Sequence, residues 1–192
     1  MNTNTATATP ANRVNGVDVD QVTQVIESIQ TDADIAKFQF RARNQWVDGA
    51  LNRSELQDYT GANAEHTREQ PFTLDNDEPP LLDGDDSAPN PVEYVLHALA
   101  GCVTTTTVLH AAARGIQIES LSTELVGTID VQGLLALDDA VPVGYEHIQI
   151  KMDIKADCSD KELDDLLAFA KDHSPVCNTI CRPVPVTVKR VQ

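Results

Sequence analysis

Residues 90–115, NPVEYVLHALAGCVTTTTVLHAAARG, constrain this chain more than any other stretch. The segment opens as a helix: Asn90 can cap, Pro91 suits the first helical position and Glu93 falls at the third. Gly115 fits the C-terminal cap. In between, apolar and small residues fall on every side, and a helix that is apolar all round has to be buried. A chain of 192 residues has little space to wrap such a helix wholly in its own fold. A subunit interface is the natural place to bury it. The threonine run Thr104–Thr107 is accommodated by hydroxyls bonding back to the carbonyl one turn earlier.

The remaining pattern is mixed. Residues 1–15 are polar and Thr- and Asn-rich, and are expected to form a disordered tail. A short amphipathic helix follows, with Val22, Val25, Ile26 and Ile29 on one stripe and Asp18 and Gln21 at its start. In AKFQFRARNQW the period switches to two: Phe38, Phe40 and Ala42 alternate with Lys37, Gln39, Arg41 and Arg43 as a half-buried strand. Gly49 and Ala50 mark a turn, a second strand is expected over residues 51–59 and a third over 71–74. The acidic DNDEPPLLDGDDSAPNP reads as a loop. Beyond the long helix come two strands, residues 116–132 and 145–156, the second cleanly alternating through Ile148, Ile150, Met152 and Ile154. Ser159 and Glu162 form a capping box ahead of a helix striped by Leu163, Leu166, Leu167 and Ala170. Ser174 and Pro175 start another short helix with Cys177 at its third position, and VPVTVKRV is expected to close the chain as a strand. The whole is α+β with antiparallel pairing: a tail and short helix over 1–35, then one domain over 36–192.

The net charge is −16. Phosphate recognition needs clustered Lys and Arg, so the charge argues against a nucleic-acid partner and against an anionic membrane surface. No apolar run approaches bilayer-spanning length, and the first dozen residues have neither a basic nor an apolar stretch, so no signal peptide and no membrane partner are expected. The chain is therefore expected in the cytoplasm with its thiols reduced.

Four cysteines, Cys102, Cys158, Cys177 and Cys181, carry the candidate chemistry. A cysteine attacks as the thiolate, so a reactive one needs a setting that favours negative charge. Cys177 has one in view, among unpaired N–H groups at a helix start, with His173 and Arg182 nearby in sequence. Cys102 lies inside its helix beside Gly101, which leaves one side open to close approach. Buried free cysteine also simply fills space, as a capping box accounts for Glu93 and a solvated strand face for Arg41 and Arg43. Nine residues at about 100° each place Glu93 and Cys102 on opposite faces of a straight helix. The cysteine spacing suits no zinc site.

NPVEYVLHALAGC resembles the segment of the OsmC/Ohr family that runs from Asn/Ser-Pro-x-Glu to its first cysteine. DEPPLLDGDDSAPNP, HAAARGI, VPVGYEHIQIKMDIKAD and SPVCNTICRPVPVTV are similar in order and spacing to the broader OsmC-like branch. The resemblance implies an intertwined homodimer with antiparallel sheets and buried central helices. It also implies thiol-dependent reduction of organic hydroperoxides, without metal or organic cofactor. Cys102 would attack the peroxide, a second cysteine would resolve the sulfenic acid as a disulfide, and an external dithiol would restore both. A glutamate and an arginine are expected beside the thiol. Glu93 fits the first; Arg43 or Arg41 fits the second, with Arg53 and Arg68 behind them. The family's second cysteine usually begins Cys-Pro-x-Ser, whereas this chain has Ser174-Pro175-Val176-Cys177. Cys177 lies nearly one turn further on and is the expected resolving thiol, with Cys181, one turn beyond it and near the helix C-terminus, as its rival. The competing reading is a dimeric binder of hydrophobic small molecules, or a redox sensor, on the same scaffold. The long helix predicts that sedimentation at micromolar concentration finds a dimer; a stable monomer removes the interface reading.

Overall fold

The structure is a computed structural model that describes residues 12–191. It divides into two compact units, one ending at Tyr94 and one beginning at Val95.

The first unit opens on a hairpin of β1 (Arg13–Val14) and β2 (Val17–Asp18). Asn15 and Gly16 turn it in the left-handed region, at φ 53° and 79°. The hairpin corrects the last part of the expected tail; residues 1–11 of that tail lie outside the described residues. Helix α1 (Val19–Thr31) is capped as expected, Asp18 Oδ1 accepting from the Gln21 amide at 3.0 Å. Its apolar stripe stays about half exposed at Val25 and Ile26.

The expected strand over residues 36–46 is broken. β3 (Gln39–Phe40) and β4 (Arg43–Asp48) both pair with β5 (Leu51–Gly61), at opposite ends of it. Nor is β4 half-buried: every residue in it is exposed, including Trp46. β6 runs over Ala64–Asn76 along the other edge of β5, far longer than the expected four residues. Its first half, AEHTREQ, is too polar to show an apolar period, and pairing with β5 forms it anyway. The β5–β6 connection is a two-residue turn, Ala62–Asn63, with both φ positive at 50° and 59°. That geometry matches strand twist in tight hairpins.

The acidic loop after β6 is organised around Asp77, a buried carboxylate. It accepts from the amides of Glu78, Asp85 and Ser87 and from the Ser87 hydroxyl. These donors hold its carboxyl below the usual range, the Ser87 amide first among them. Gly84 is required here, because a Cβ would collide with the Glu78 backbone.

Helix α2 (Pro91–Ala113) crosses from one unit to the other without a break. By length and composition it could cross a membrane, with mean hydropathy 1.3 over an 18-residue window. This corrects the expectation that no segment reaches that length. The core helix of a globular fold has the same composition, and α2 packs as one: Leu99 and Val103 are buried with Cys177 against Leu125, Ile148, Ile150, Met152 and Val176. Thr105, Thr106 and Thr107 bond back to the carbonyls of Gly101, Cys102 and Val103, as expected.

In the second unit, β7 (Ile118–Thr128) and β8 (His147–Ala156) pair antiparallel, setting Leu121 against Ile154 and Leu125 against Ile150. The short α3 (Val131–Leu134) lies in the excursion between them. β8 alternates exposed and half-buried throughout, the period read from its sequence. Helix α4 (Asp160–His173) has the expected Ser159–Glu162 capping box, and α5 (Pro175–Cys181) begins at the expected Ser174 cap.

The closing strand does not form. Residues 182–191 have no regular structure, and Val186 and Val188 are 84% and 92% exposed. The alternation is real, but a strand exists only when another strand pairs with it.

Leu166 on α4 is fully buried. Leu166→Ala should destabilise the protein by about 2–5 kcal/mol in denaturant melts, the range for emptying a well-packed leucine site. Leu137→Ala, at a position 68% exposed, should stay within about 0.5 kcal/mol of the parent.

Candidate redox site

The site is built where the middle of α2 meets the start of α5, inside the second unit. Cys102 is half-buried, and a Cβ added at the exposed Gly101 next to it would meet nothing within 4 Å. The Ser174 hydroxyl donates to Cys102 Sγ at 3.2 Å, and the Val176 amide donates to the same sulfur at 3.5 Å. Ser174 is fully buried, and its Oγ also accepts from the Cys177 amide at 3.3 Å as the α5 cap. One hydroxyl therefore fixes the helix start and orients the thiol 72 residues earlier in the chain. Its capping role was legible from Ser-Pro. Its contact with Cys102 had no local sequence signal.

Cys177 sits at the third position of α5 as expected, but the electrostatic expectation for it is reversed. Burial pushes its thiol up from the ordinary value, and the neighbouring Cys181 adds to this. Lys171 pulls the other way with less effect. Desolvation outweighs the partial charge of one short helix end. His173, expected to lend positive charge, stacks on Phe169 with ring centroids 3.8 Å apart and bonds the Phe169 carbonyl through Nδ1.

The sulfurs of Cys177 and Cys181 are 4.0 Å apart, Cys177 buried and Cys181 exposed. Both line a cavity of about 470 Å³ walled by Leu99, Ile148, Ile150 and Ile180, with Lys171 and His147 also on its surface. Cys158 stands elsewhere, at the start of α4, where burial and the acids Glu162, Asp157 and Asp160 push its thiol up.

The remaining candidates belong to the first unit. Glu93 Oε2 accepts from the Asn90 amide at 2.9 Å while Asn90 Oδ1 accepts from the Glu93 amide at 2.9 Å, a complete capping box. Arg43 makes a two-point bond to Asp58 at 2.9 and 3.0 Å, which holds the Asp58 carboxyl below its usual range. Arg41 binds Glu65, whose carboxyl falls to about 2, with the Arg41 hydrogen bond as the largest cause. Arg53 pairs with Asp75, and Arg68 donates to the carbonyls of Leu56 and Gln57. Among the described residues, no three metal-ligating side chains gather.

An α+β chain with a cysteine held by two donors midway along a long apolar helix has the architecture of a known family. The chain belongs to the OsmC-like protein family, whose model matches residues 84–189. It resembles an OsmC-like protein of Mycoplasma pneumoniae with TM-score 0.57 and 18% identity, over 74% of this chain and 87% of that one. An OsmC-like protein of Vibrio cholerae matches with TM-score 0.56 and 11% identity, over 73% and 92%. An organic hydroperoxide resistance protein OsmC of Legionella pneumophila matches with TM-score 0.53 and 20% identity, over 74% and 88%. No curated protein matches.

With its pKa raised above the ordinary 9.0, Cys177 should be mostly thiol at neutral pH. Its alkylation by iodoacetamide, followed by peptide mass spectrometry, should be slow there and still climbing with pH above 9. A plateau at or below pH 9 would contradict the buried-thiol account.

Proposed function

We propose that this chain reduces organic hydroperoxides with electrons from an external dithiol, as a cytoplasmic defence against oxidative stress. The observation that carries the reading is the pair of donors on Cys102 Sγ, from Ser174 and Val176. They orient the sulfur, and their dipoles are already in place for negative charge on it. Cys102 itself is only half-buried. Membership of the OsmC-like family and the hydroperoxide-resistance description of the Legionella relative support the same chemistry.

In the reaction, the Cys102 thiolate attacks one peroxide oxygen and forms an S–O bond. The O–O bond breaks, and the expelled alkoxide takes a proton from solvent and leaves as the alcohol. The resulting sulfenic acid is attacked by Cys177, which forms a disulfide and releases water. The Cys177 amide donates to the same hydroxyl that touches Cys102 Sγ, which ties the backbone of the resolving residue to the site. Because Cys177 is held mainly as the thiol, this step sets a slow-to-moderate rate. The acid and cation expected from the resemblance are Glu93 and Arg43. Each now holds another partner, Asn90 and Asp58, so a role at the thiol requires those contacts to be exchanged.

The assembly we propose is a homodimer centred on α2, whose Val95, Ala98, Gly101, Thr105 and Leu109 are exposed in the single chain. The second reading is a binder of hydrophobic small molecules, favoured by the apolar cavity of about 470 Å³, a size suited to such ligands. Peroxide consumption separates the two. With dithiothreitol and cumene hydroperoxide, the parent should turn over and Cys102→Ser should fall to the uncatalysed background. Equal rates would remove the peroxidase reading, and a single stoichiometric oxidation of Cys102 would leave a sensor.

A further inference from the structure

Cys181 has no place in a two-thiol cycle, yet its sulfur is 4.0 Å from that of Cys177, one turn earlier on α5. The two thiols differ in access: Cys177 is buried and Cys181 is exposed. Both open on one cavity of about 470 Å³. A disulfide between Cys102 and Cys177 would join a half-buried sulfur to a buried one, whereas a bond that includes Cys181 would have one exposed partner. Transfer to Cys181 would bring the oxidation closer to the surface.

We propose that Cys181 is a third redox thiol, which takes over the Cys102–Cys177 disulfide by exchange and presents a Cys177–Cys181 disulfide to the external dithiol. The inference rests on the peroxidase reading. In the exchange, the Cys181 thiolate attacks Cys177 Sγ and an S–S bond forms between them. The bond from Cys177 to Cys102 breaks, and Cys102 leaves with the electron pair as thiolate. The proton given up by Cys181 returns to Cys102 or passes to solvent. No net oxidation occurs in this step. The external dithiol then reduces the new disulfide with two electrons and ends as a disulfide itself.

Geometry favours this order. Residues four apart on an α-helix have Cα atoms about 6 Å apart, inside the roughly 4.4–6.8 Å of a disulfide. Their Cβ atoms are about 5–6 Å apart against the roughly 3.5–4.5 Å it needs, so the last turn of α5 has to open for the bond to close. The facing sulfurs need to close only about 2 Å to reach bonding distance. Cys181 is the last residue of α5, where a helix gives most easily. Attack on Cys177 Sγ expels Cys102, whose sulfur returns to the Ser174 hydroxyl and the Val176 amide. Regenerating Cys102 inside the chain also frees it for a second peroxide before any reductant arrives.

Stoichiometry without reductant tests the relay. The parent should consume two equivalents of cumene hydroperoxide per chain, and acid-quenched peptide maps should show a Cys177–Cys181 disulfide. Cys181→Ser should consume one equivalent and stop with Cys102 bonded to Cys177. One equivalent in both proteins, with that same end state, overturns the relay and leaves the peroxidase reading intact. No consumption in either removes both. A separate arm needs no peroxide: on Cys102→Ser, one equivalent of diamide should close Cys177 onto Cys181. If both thiols remain free to alkylate, the pair cannot close and the relay is overturned.

Discussion

The second unit depends on the seam where Leu99 and Val103 of α2 pack against the β7–β8 hairpin, joined by Cys177 and Val176 from α5. Apolar contact there brings three distant parts of the chain together, and the polar features follow from it. The start of α5 can place a hydroxyl and an amide on Cys102 only because its first turn is packed into the same seam. Desolvation of Cys177 has the same origin: the packing that positions the thiol also suppresses its charge.

Helix starts were the most legible part of the sequence. Asp18, Asn90 with Glu93, Ser159 with Glu162, and Ser174 all cap where their local chemistry places them. Capping is decided within four residues, so a short window contains the whole interaction. Strands were less legible, because a strand is completed by its neighbour. The polar first half of β6 forms because β5 lies beside it, whereas the well-patterned valines near the C-terminus stay irregular without a partner strand. The long alternating segment at residues 36–46 breaks because β3 and β4 take separate positions along β5.

The candidate site divides in the same way. The importance of Cys102 came from the resemblance, and the open space at Gly101 came from residue type. What the sequence hid was the environment. Cys177 has a helix start to favour its charge, but the burial that overrides it comes largely from residues 25 or more positions away in the cluster around Leu99. Ser174 looked like a lost cysteine or a cap; in three dimensions it is the group that holds the thiol. Arg43 and Glu93 show the converse, since their local partners, Asp58 and Asn90, explain their positions without reference to any thiol.

The two donors on Cys102 both come from the first turn of a helix seven residues long. A helix that short has little stability of its own and is held by its seat on the rest of the unit. It is therefore a natural unit of local opening, able to lift away at a cost well below that of global unfolding. Each such opening would strip Cys102 of both donors while leaving α2 and the hairpin folded. The thiol thus behaves as a gauge of one small segment's tenure: what it meets in solution depends on how often the last helix lets go.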